Sequence, residues 1–322
     1  MTLEQLRIFV EVAQREHMTR AAEALNLTQS ATSAAVAALE ARHKVVLFNR
    51  IGRRIELTES GRLFLNEARA ILAHVDGAEL ALSEMAGVRR GRLLVHASQT
   101  IASYWMPARL VAFRTSYPEI EVKLTIGNTA QVERAVMDGE AELGFIEGSI
   151  TNPILELTTV DQDNLVLIVH PGHPWVSRSA LTSDDLMEAD WVLREPGSGT
   201  RSEFELRLKD LGVQIDRLKV VLELPSNEAV RAAVEAGGGA TAVSDLVAAP
   251  GIQAGSLKKV GPKMPHRLFH AVRHVQRYRS KASEVFMQIA STPTTTTAPS
   301  NGEPFAAVHG TSGPGSTTNP RR

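Results

Sequence analysis

A short segment near the N-terminus, residues 18–40, constrains the fold more than any other part of the chain. Its first apolar residues recur at helical spacing: Ala21, Ala22 and Leu25. A polar turn follows at Asn26, and a second apolar stripe begins behind Thr28, which is a good helix N-cap. The pattern predicts a helix-turn-helix, although an alanine-rich helical hairpin without a DNA-binding role has the same stripes.

Polar side chains cluster at the start of the second predicted helix, away from its apolar stripe. The N-terminal residues of a recognition helix usually read base edges in the major groove of DNA. We therefore predict DNA contacts from four residues at this helix start: Thr28, Gln29, Ser30 and Ser33.

Residues 46–58 have the pattern of a β-ribbon, and its turn is rich in arginine: Arg50, Arg53 and Arg54. Guanidinium groups in such a turn suit contacts with phosphates and with the minor groove. A ribbon directly behind a helix-turn-helix is typical of a winged helix-turn-helix. This combination makes the plain helical hairpin the weaker interpretation.

A long helix is predicted after the ribbon, beginning behind Thr58 and running to about Val88. Apolar residues recur in it with alternating steps of four and three: Phe64, Ala68, Ile71, Val75, Ala78, Leu82 and Met85. This heptad seam indicates a dimerisation helix. An amphipathic helix that packs on its own domain is the alternative.

Strand and helix patterns alternate from residue 91 onward, as in an α/β domain. The order of the elements predicts two lobes, with a late strand at Arg267–Arg273 that returns to the first lobe. Lobe I covers about residues 91–161 and 266–291, and lobe II about residues 162–265. Such lobes enclose a cleft, where ligands bind at strand ends and helix starts.

Four short motifs together resemble the LysR-type transcriptional regulators, over roughly residues 1–291: Leu25-Asn-Leu-Thr-Gln-Ser-Ala, Ala38-Leu-Glu-Ala-Arg, Leu47-Phe-Asn-Arg and Leu57-Thr-Glu-Ser-Gly61. The chain departs from the family pattern at His43-Lys44, where the family usually turns through Leu-Gly, and at Thr32, which replaces an aliphatic residue. The resemblance implies a regulatory domain similar to periplasmic binding proteins. A later segment, residues 193–201, is similar to a subgroup tied to sulfur assimilation and carbon fixation, whose effectors are small metabolites and often anions.

Two segments leave a strand and enter a helix, one in each predicted lobe, beginning at Ala97 and at Leu193. Hydroxyls and free backbone N–H groups at such helix starts can face an anion. Matching positions of similar regulators imply these effector contacts: Ser98, Thr100, Thr129, Glu147, Ser198, Thr200 and Arg201. Ordinary helix capping is the alternative for each hydroxyl, and an ion pair with Glu147 or Glu195 is the alternative for Arg201.

Other chemistry finds little support in the sequence. Glu147 and Glu195 could suggest acid–base hydrolysis, but no nucleophile, metal cluster or phosphate loop accompanies them. The spacing of His266, His270 and His274 falls across a predicted strand and turn, which does not suit a metal site. The chain has no cysteine, which excludes thiolate sites and disulfides and fits a reducing cytoplasm. We expect no catalytic residue, no metal and no cofactor.

The sequence thus predicts three folded parts: a winged helix-turn-helix DNA-binding domain at residues 1–58, a linker and dimerisation helix at 59–90, and a two-lobed α/β effector-binding domain at 91–291. Residues 292–322 are a Thr-, Pro-, Gly- and Ser-rich tail predicted to be disordered. The expected partners are double-stranded DNA with an inverted repeat, a small-molecule effector, a second copy of the chain in a dimer or homotetramer, and RNA polymerase if the protein activates. No apolar segment is long enough to span a membrane, so we expect a cytoplasmic protein. A cytoplasmic small-molecule binding protein or an enzyme on the same lobes is the alternative.

Overall fold

The computed structural model describes residues 1–51, 54–85, 91–264 and 266–292. The N-terminal part is a three-helix head with a two-stranded antiparallel ribbon packed beside it. Phe9 lies at the centre of its core, with its ring 5.4 Å from that of Phe48 in the ribbon and 4.8 Å from that of Phe64. The elements of the head are α1 (Leu3–Arg15), α2 (Met18–Ala24), α3 (Gln29–His43), β1 (Phe48–Ile51) and β2 (Arg54–Leu57).

Three described residues of the head other than glycine adopt left-handed backbone conformations: Glu16, Asn26 and Lys44. Asn26 has a φ of 55°, which agrees with the turn predicted between α2 and α3. Lys44 ends α3 with a φ of 54°, and its N–H donates to the carbonyl of Glu40. A left-handed residue at this position is the usual place for glycine. The departure from Leu-Gly at His43-Lys44 therefore keeps the helix end, at a cost of roughly 1–2 kcal/mol in backbone strain.

A single long helix, α4 (Glu59–Met85), follows the ribbon, and its 27 residues span about 40 Å. The residues 86–90 at the end of the predicted linker lie outside the described part of the chain. The first two predicted seam residues, Phe64 and Ala68, pack in the core of the head. Farther along, Ile71, Leu82 and Met85 are exposed to solvent and Val75 is half-buried, so the described residues of the protomer leave most of this part of the seam uncovered.

Lobe I is built around parallel strands with helices on both sides of the sheet. Strand β3 pairs in parallel with β4 and with β5. The sequence predicted one helix from Ser98 to Ser116, but β3 extends to Ser98 and one π-helical turn, Ile101–Trp105, precedes the helix proper. The elements of lobe I are β3 (Gly91–Ser98), α5 (Met106–Ser116), β4 (Ile120–Gly127), α6 (Thr129–Asp138) and β5 (Leu143–Glu147).

Two long strands connect lobe I with lobe II. Strand β6 (Leu155–Val169) begins ten residues before the strand predicted at residue 165, because its polar segment 161–164 hides the strand pattern. The first part of β6 pairs with the returning strand β11 (His266–His274), and its last residues pair with β9 (Ala240–Ser244) and β10 (Lys258–Val260). The remaining elements are α7 (Ser183–Glu188), β7 (Asp190–Arg194), α8 (Gly199–Asp210), β8 (Lys219–Leu224), α9 (Asn227–Glu235), β9 (Ala240–Ser244), α10 (Asp245–Ala254), β10 (Lys258–Val260), β11 (His266–His274) and α11 (Lys281–Ala290).

The described strands of both lobes belong to one continuous sheet with the order β4-β3-β5-β11-β6-β9-β7-β8, and β10 pairs with β6 at its side. Strands β6 and β11 therefore lie in the middle of the sheet, where the chain crosses between the lobes. The helices described here include none that is both long and apolar enough to cross a membrane.

Candidate DNA and effector sites

The predicted DNA-reading residues lie at the exposed N-terminus of α3. Gln29 and Ser30 are exposed, and Ser33 is half-buried one turn later. The Thr28 hydroxyl accepts a hydrogen bond from the Ala31 amide at 3.2 Å, so this side chain caps the helix. Thr28 is thus placed to fix the start of α3, while Gln29 is free to extend from it.

The ribbon presents two of the three predicted arginines. Arg50 on β1 and Arg54 on β2 are exposed and flank the turn of the ribbon. Arg53 lies outside the described residues. Glu40, which the sequence did not single out, orients the ribbon, because its carboxylate accepts hydrogen bonds from the amides of Leu47 at 2.7 Å and Phe48 at 3.2 Å.

The centre of the second site is the Glu147 carboxylate, at the end of β5 and 2% exposed. From lobe I, the Thr100 hydroxyl donates to it at 3.2 Å, and Ser98 donates at closer range. From lobe II, the Thr200 hydroxyl donates to the same carboxylate at 3.2 Å. We call Glu147, these three hydroxyl residues, Asp163 and Arg267 the inter-lobe cluster.

Arg267 supplies the positive charge of the cluster. Its Nη1 lies 3.7 Å from Glu147 Oε1 and donates to the Thr200 hydroxyl at 3.0 Å. Its Nε and Nη2 donate to Asp163 Oδ2, at 3.2 Å and 2.7 Å. Arg267 on β11 and Asp163 on β6 lie directly opposite each other in the sheet. The cluster therefore sits where both connecting strands cross between the lobes.

Sequence reasoning missed Arg267 and Asp163. Locally, each of them is only a charged residue in or beside a segment with a strand pattern. The pairing of β6 with β11 makes the two residues neighbours, and neither segment alone reveals that pairing.

The start of α8 approaches lobe I at van der Waals distance. A Cβ atom on Gly199 would lie 2.4 Å from the Glu147 carbonyl oxygen and 2.4 Å from Thr129 Oγ1. Only glycine fits there without displacing the backbone of lobe I. The Thr129 hydroxyl donates to the backbone carbonyl of Glu147 at 3.3 Å, so Thr129 binds the main chain of Glu147 and not its carboxylate.

The helix-capping alternative fails for two of the predicted hydroxyl residues. Thr100 and Ser198 occupy N-cap positions, but neither side chain caps its helix. The Thr100 hydroxyl instead donates to Glu147 and accepts from Asn227 Nδ2 at 3.0 Å. Ser198 is buried beside the cluster, at the start of α8.

Arg201 turns away from Glu147 and Glu195. Its guanidinium bonds Glu205 at 2.7 Å and Glu223 at 2.6 Å, both in lobe II. Partial burial lowers the pKa of Arg201, but the hydrogen bonds to the two carboxylates outweigh that effect and leave the pKa above its usual value. The ion pair with Glu147 that the sequence offered as an alternative is made by Arg267.

Additional polar contacts hold the lobes together on both sides of the cluster. On one side, Gln99 accepts from the Asn227 amide at 2.7 Å and donates to Glu228 at 2.7 Å. On the other side, Asn128 Nδ2 donates to Glu195 at 3.1 Å. In this arrangement the two lobes are closed on each other.

The chemistry of the cluster is that of a carboxylate receptor. Three hydroxyls and one guanidinium converge on Glu147, which suits recognition of an anion. Within the described residues, no group of three or more His, Asp or Glu side chains could hold a metal ion. A cavity of ≈ 460 Å³ borders Glu147 between α6 and α8, and its lining includes Glu133, Glu203 and Glu205.

Comparisons with known proteins identify the family of the chain. The pattern of the family "Bacterial regulatory helix-turn-helix protein, lysR family" matches residues 3–62. The pattern "LysR substrate binding domain" matches residues 86–292, which is more than half of the chain. The chain is a LysR-type transcriptional regulator. Because this family comprises transcription regulators, the chain is not an enzyme, and the winged helix-turn-helix fold with a two-lobed regulatory domain is confirmed.

Two relatives cover most of this LysR-type regulator. The "Uncharacterized HTH-type transcriptional regulator YeiE" of Escherichia coli (strain K12) is 35% identical over 295 residues, which is 89% of this chain and 96% of the relative. A "Probable RuBisCO transcriptional regulator" of Trichormus variabilis is 33% identical over 292 residues, which is 89% of this chain and 87% of the relative. Relatives so named agree with the expected likeness to regulators of carbon fixation.

Solved structures of full-length regulators share the fold. A full-length OxyR variant from Pseudomonas aeruginosa has a TM-score of 0.66 at 22% identity and covers 90% of this chain and 94% of its own. Full-length CbnR in complex with its target DNA has a TM-score of 0.62 at 25% identity, with coverage of 90% and 99%.

Proposed function

We propose that this regulator changes its operator binding or promoter activation when a small anionic metabolite binds between the two lobes. The observation that carries this proposal is the convergence of donors from both lobes on the Glu147 carboxylate. A site that satisfies one buried carboxylate offers the donors that another small oxyanion needs. The proposed effector contacts are Ser98, Thr100, Thr129, Glu147, Ser198 and Thr200, with Arg267 added, and Arg201 joins them only if it exchanges its present partners.

The effector has to replace the oxygens of Glu147, because two carboxylate-like charges in one buried site repel each other. The cavity that borders Glu147 has room for its side chain, and two of the carboxylates that line it are already paired, Glu205 with Arg201 and Glu203 with Arg207. An anion bound in this way joins donors of lobe I to donors of lobe II. It therefore favours one arrangement of the lobes over others and shifts the population of the DNA-binding states.

Two neighbours of known fold support a small-molecule effector. The regulatory domain of Synechocystis CcmR was solved in complex with 2-PG, and it covers 65% of this chain at a TM-score of 0.58. The effector-binding domain of QuiR was solved in complex with shikimate, which is a carboxylate, at a TM-score of 0.56.

The proposed partner of the head is an inverted repeat in double-stranded DNA. The exposed seam residues of α4, among them Ile71 and Leu82, offer an apolar strip to a second copy of the chain. Two paired heads then match the two half-sites of a palindromic operator. We propose a dimer that assembles further into a homotetramer in the cytoplasm, with RNA polymerase as a further partner where the protein activates.

The effector site is tested by thermal-shift measurements on the whole chain with four probes: sulfate, inorganic phosphate, 2-PG and shikimate. For any probe that stabilises the wild type, calorimetric titration of Thr100→Val and Thr200→Val should show a loss of roughly 1–3 kcal/mol each, since each removes a donor to a charged group. Glu147→Gln should bind the anion more tightly, because a competing charge is removed. Thr115→Val is the matched control, since its hydroxyl bonds only its own helix, to the Val111 carbonyl.

Two results of these titrations would contradict the proposal. If both threonine variants bind the probe as the control does, the donors of the inter-lobe cluster serve only to close the lobes. If Glu147→Gln weakens binding of an anionic probe, the probe does not replace the oxygens of Glu147, and the proposed displacement of this carboxylate is wrong.

A further inference from the structure

The linker helix α4 is fixed to lobe I at two separate points. Near its middle, Arg69 donates to Asp138 at 2.5 Å and lies 3.4 Å from Glu140, just beyond α6. Near its end, Glu84 accepts from the Tyr278 hydroxyl at 2.7 Å and from the Lys281 amide at 3.0 Å. These two points lie 15 residues apart on α4, or about 22 Å along the helix axis.

A cavity of ≈ 490 Å³ lies between these two contacts, bordered by α4 on one side and by lobe I on the other. This volume is within the range of small-molecule sites. The wall from lobe I is mainly basic and the wall from α4 is acidic, with these charged residues: Arg92, Glu142, Arg273, Arg277 and Arg279 on lobe I, and Asp76 and Glu79 on α4. Among the described residues, the one carboxylate on the lobe I wall, Glu142, already accepts hydrogen bonds from the amide and the hydroxyl of Ser280.

Two of the four arginines already have partners for their terminal nitrogens. Arg277 donates from both terminal nitrogens to the carbonyls of Val136 and Met137 at the end of α6. Arg279 forms an ion pair with Glu156 at 2.7 Å on the surface. The terminal guanidinium nitrogens that remain for a ligand in this cavity therefore belong mainly to Arg92 and Arg273.

The Arg273 guanidinium is incompletely satisfied. Its Nη2 donates to the Ser283 carbonyl at 2.8 Å, but among the described residues its buried Nε has no hydrogen-bond partner. Burial lowers the pKa of Arg273 below its usual value, and the nearby charge of Arg279 lowers it further, although surrounding glutamates partly offset both effects. A buried donor without an acceptor is costly, so an anion at this position would stabilise the structure.

We propose that this cavity is a second ligand site, which binds a small molecule with one terminal oxyanion, a phosphomonoester or a carboxylate, through Arg92 and Arg273. Asp76 and Glu79 on the opposite wall disfavour a ligand that is negatively charged along its whole length. The ligand contacts both α4 and lobe I and thereby fastens the helix that carries the DNA-binding head to the regulatory domain. This site does not depend on the inter-lobe cluster.

The test uses three probes of similar size on the whole chain at constant ionic strength: glycerol 3-phosphate, glycerate and, as the uncharged control, glycerol. Calorimetric titration should show binding of at least one anion and none of glycerol. Arg92→Gln and Arg273→Gln should each weaken that anion roughly ten-fold or more, because each removes a charge-assisted contact. Two control variants should leave the affinity for this anion unchanged. Thr200→Val alters the inter-lobe cluster, and Arg114→Gln removes an exposed arginine elsewhere on lobe I.

Hydrogen exchange of α4 provides a second measurement. The anion should slow exchange of the amides of residues 73–84 in the wild type and not in Arg92→Gln, which alters an exposed side chain and leaves the fold intact. The proposal is overturned if neither anion binds, if glycerol binds equally well, or if Arg92→Gln binds as the wild type does. Loss of binding in Thr200→Val with retention in Arg92→Gln would assign the anion to the inter-lobe cluster and also overturn it.

Discussion

The DNA-binding head and the inter-lobe cluster are built in opposite ways. The polar residues proposed to read DNA lie within one turn or two of a single helix, and Gln29 and Ser30 are exposed. The residues of the cluster come from distant segments, with Asp163 and Arg267 separated by 104 positions, and they are buried. A surface on one helix can change without unfolding the protein, whereas each member of a buried network supports the others.

The largest effect expected from a surface change concerns the exposed seam of α4. Replacing Ile71 and Val75 with Asp would place four carboxylates in the paired helices of a dimer, each costing several kcal/mol when buried without a partner. The double variant should therefore sediment as a monomer, while its unfolding transition as a monomer remains cooperative. Asn66→Asp, which adds an exposed charge to α4 off the seam, should stay dimeric. A double variant that still sediments as the wild type would show that α4 does not form the dimer interface.

The contrast between a surface on one helix and a buried network of distant residues also decides what the sequence could predict. Capping by Thr28 and the turn at Asn26 follow from local rules, and the structure agrees with both. The rule that ligand groups gather at strand ends correctly brought Thr100 and Thr200 together, since both hydroxyls meet at Glu147.

The choice of the cationic partner could not be made locally. Arg201 follows Thr200 directly and was the natural candidate, yet it pairs with Glu205 and Glu223 within lobe II. Arg267 reaches the cluster only because β11 crosses between the lobes opposite β6. That register depends on the pairing of whole strands, and no motif around Arg267 reveals it.

The next largest effect tests whether the cluster is a mutually supporting network. Arg267→Met should lower the free energy of unfolding by about 3–5 kcal/mol, because it leaves Glu147 and Asp163 as buried carboxylates without their cation. The matched control is Arg279→Met, which removes an exposed ion pair with Glu156 and should cost about 1 kcal/mol or less. Denaturant unfolding of both variants measures the difference, and Arg267→Lys should lie between them because it keeps the charge without the planar fork.

Equal decreases in the free energy of unfolding for Arg267→Met and Arg279→Met would contradict this prediction. The cluster would then behave energetically like a surface pair, and its burial would contribute nothing beyond an exposed ion pair.

The smallest effect on folding, with a clear effect on function, is expected at the recognition helix. Gln29→Ala combined with Ser33→Ala should weaken binding to DNA selected by the wild-type chain from a random-sequence library, by roughly 1–3 kcal/mol for each base-reading side chain that is removed. Binding to unselected DNA should stay the same, because the exposed arginines Arg50 and Arg54 are intact. The free energy of unfolding should change by less than about 0.5 kcal/mol, as for other surface substitutions. Gln14→Ala, an exposed change on α1, is the control for both measurements. If the double variant prefers the selected sequence as strongly as the wild type does, α3 does not read the bases through these side chains.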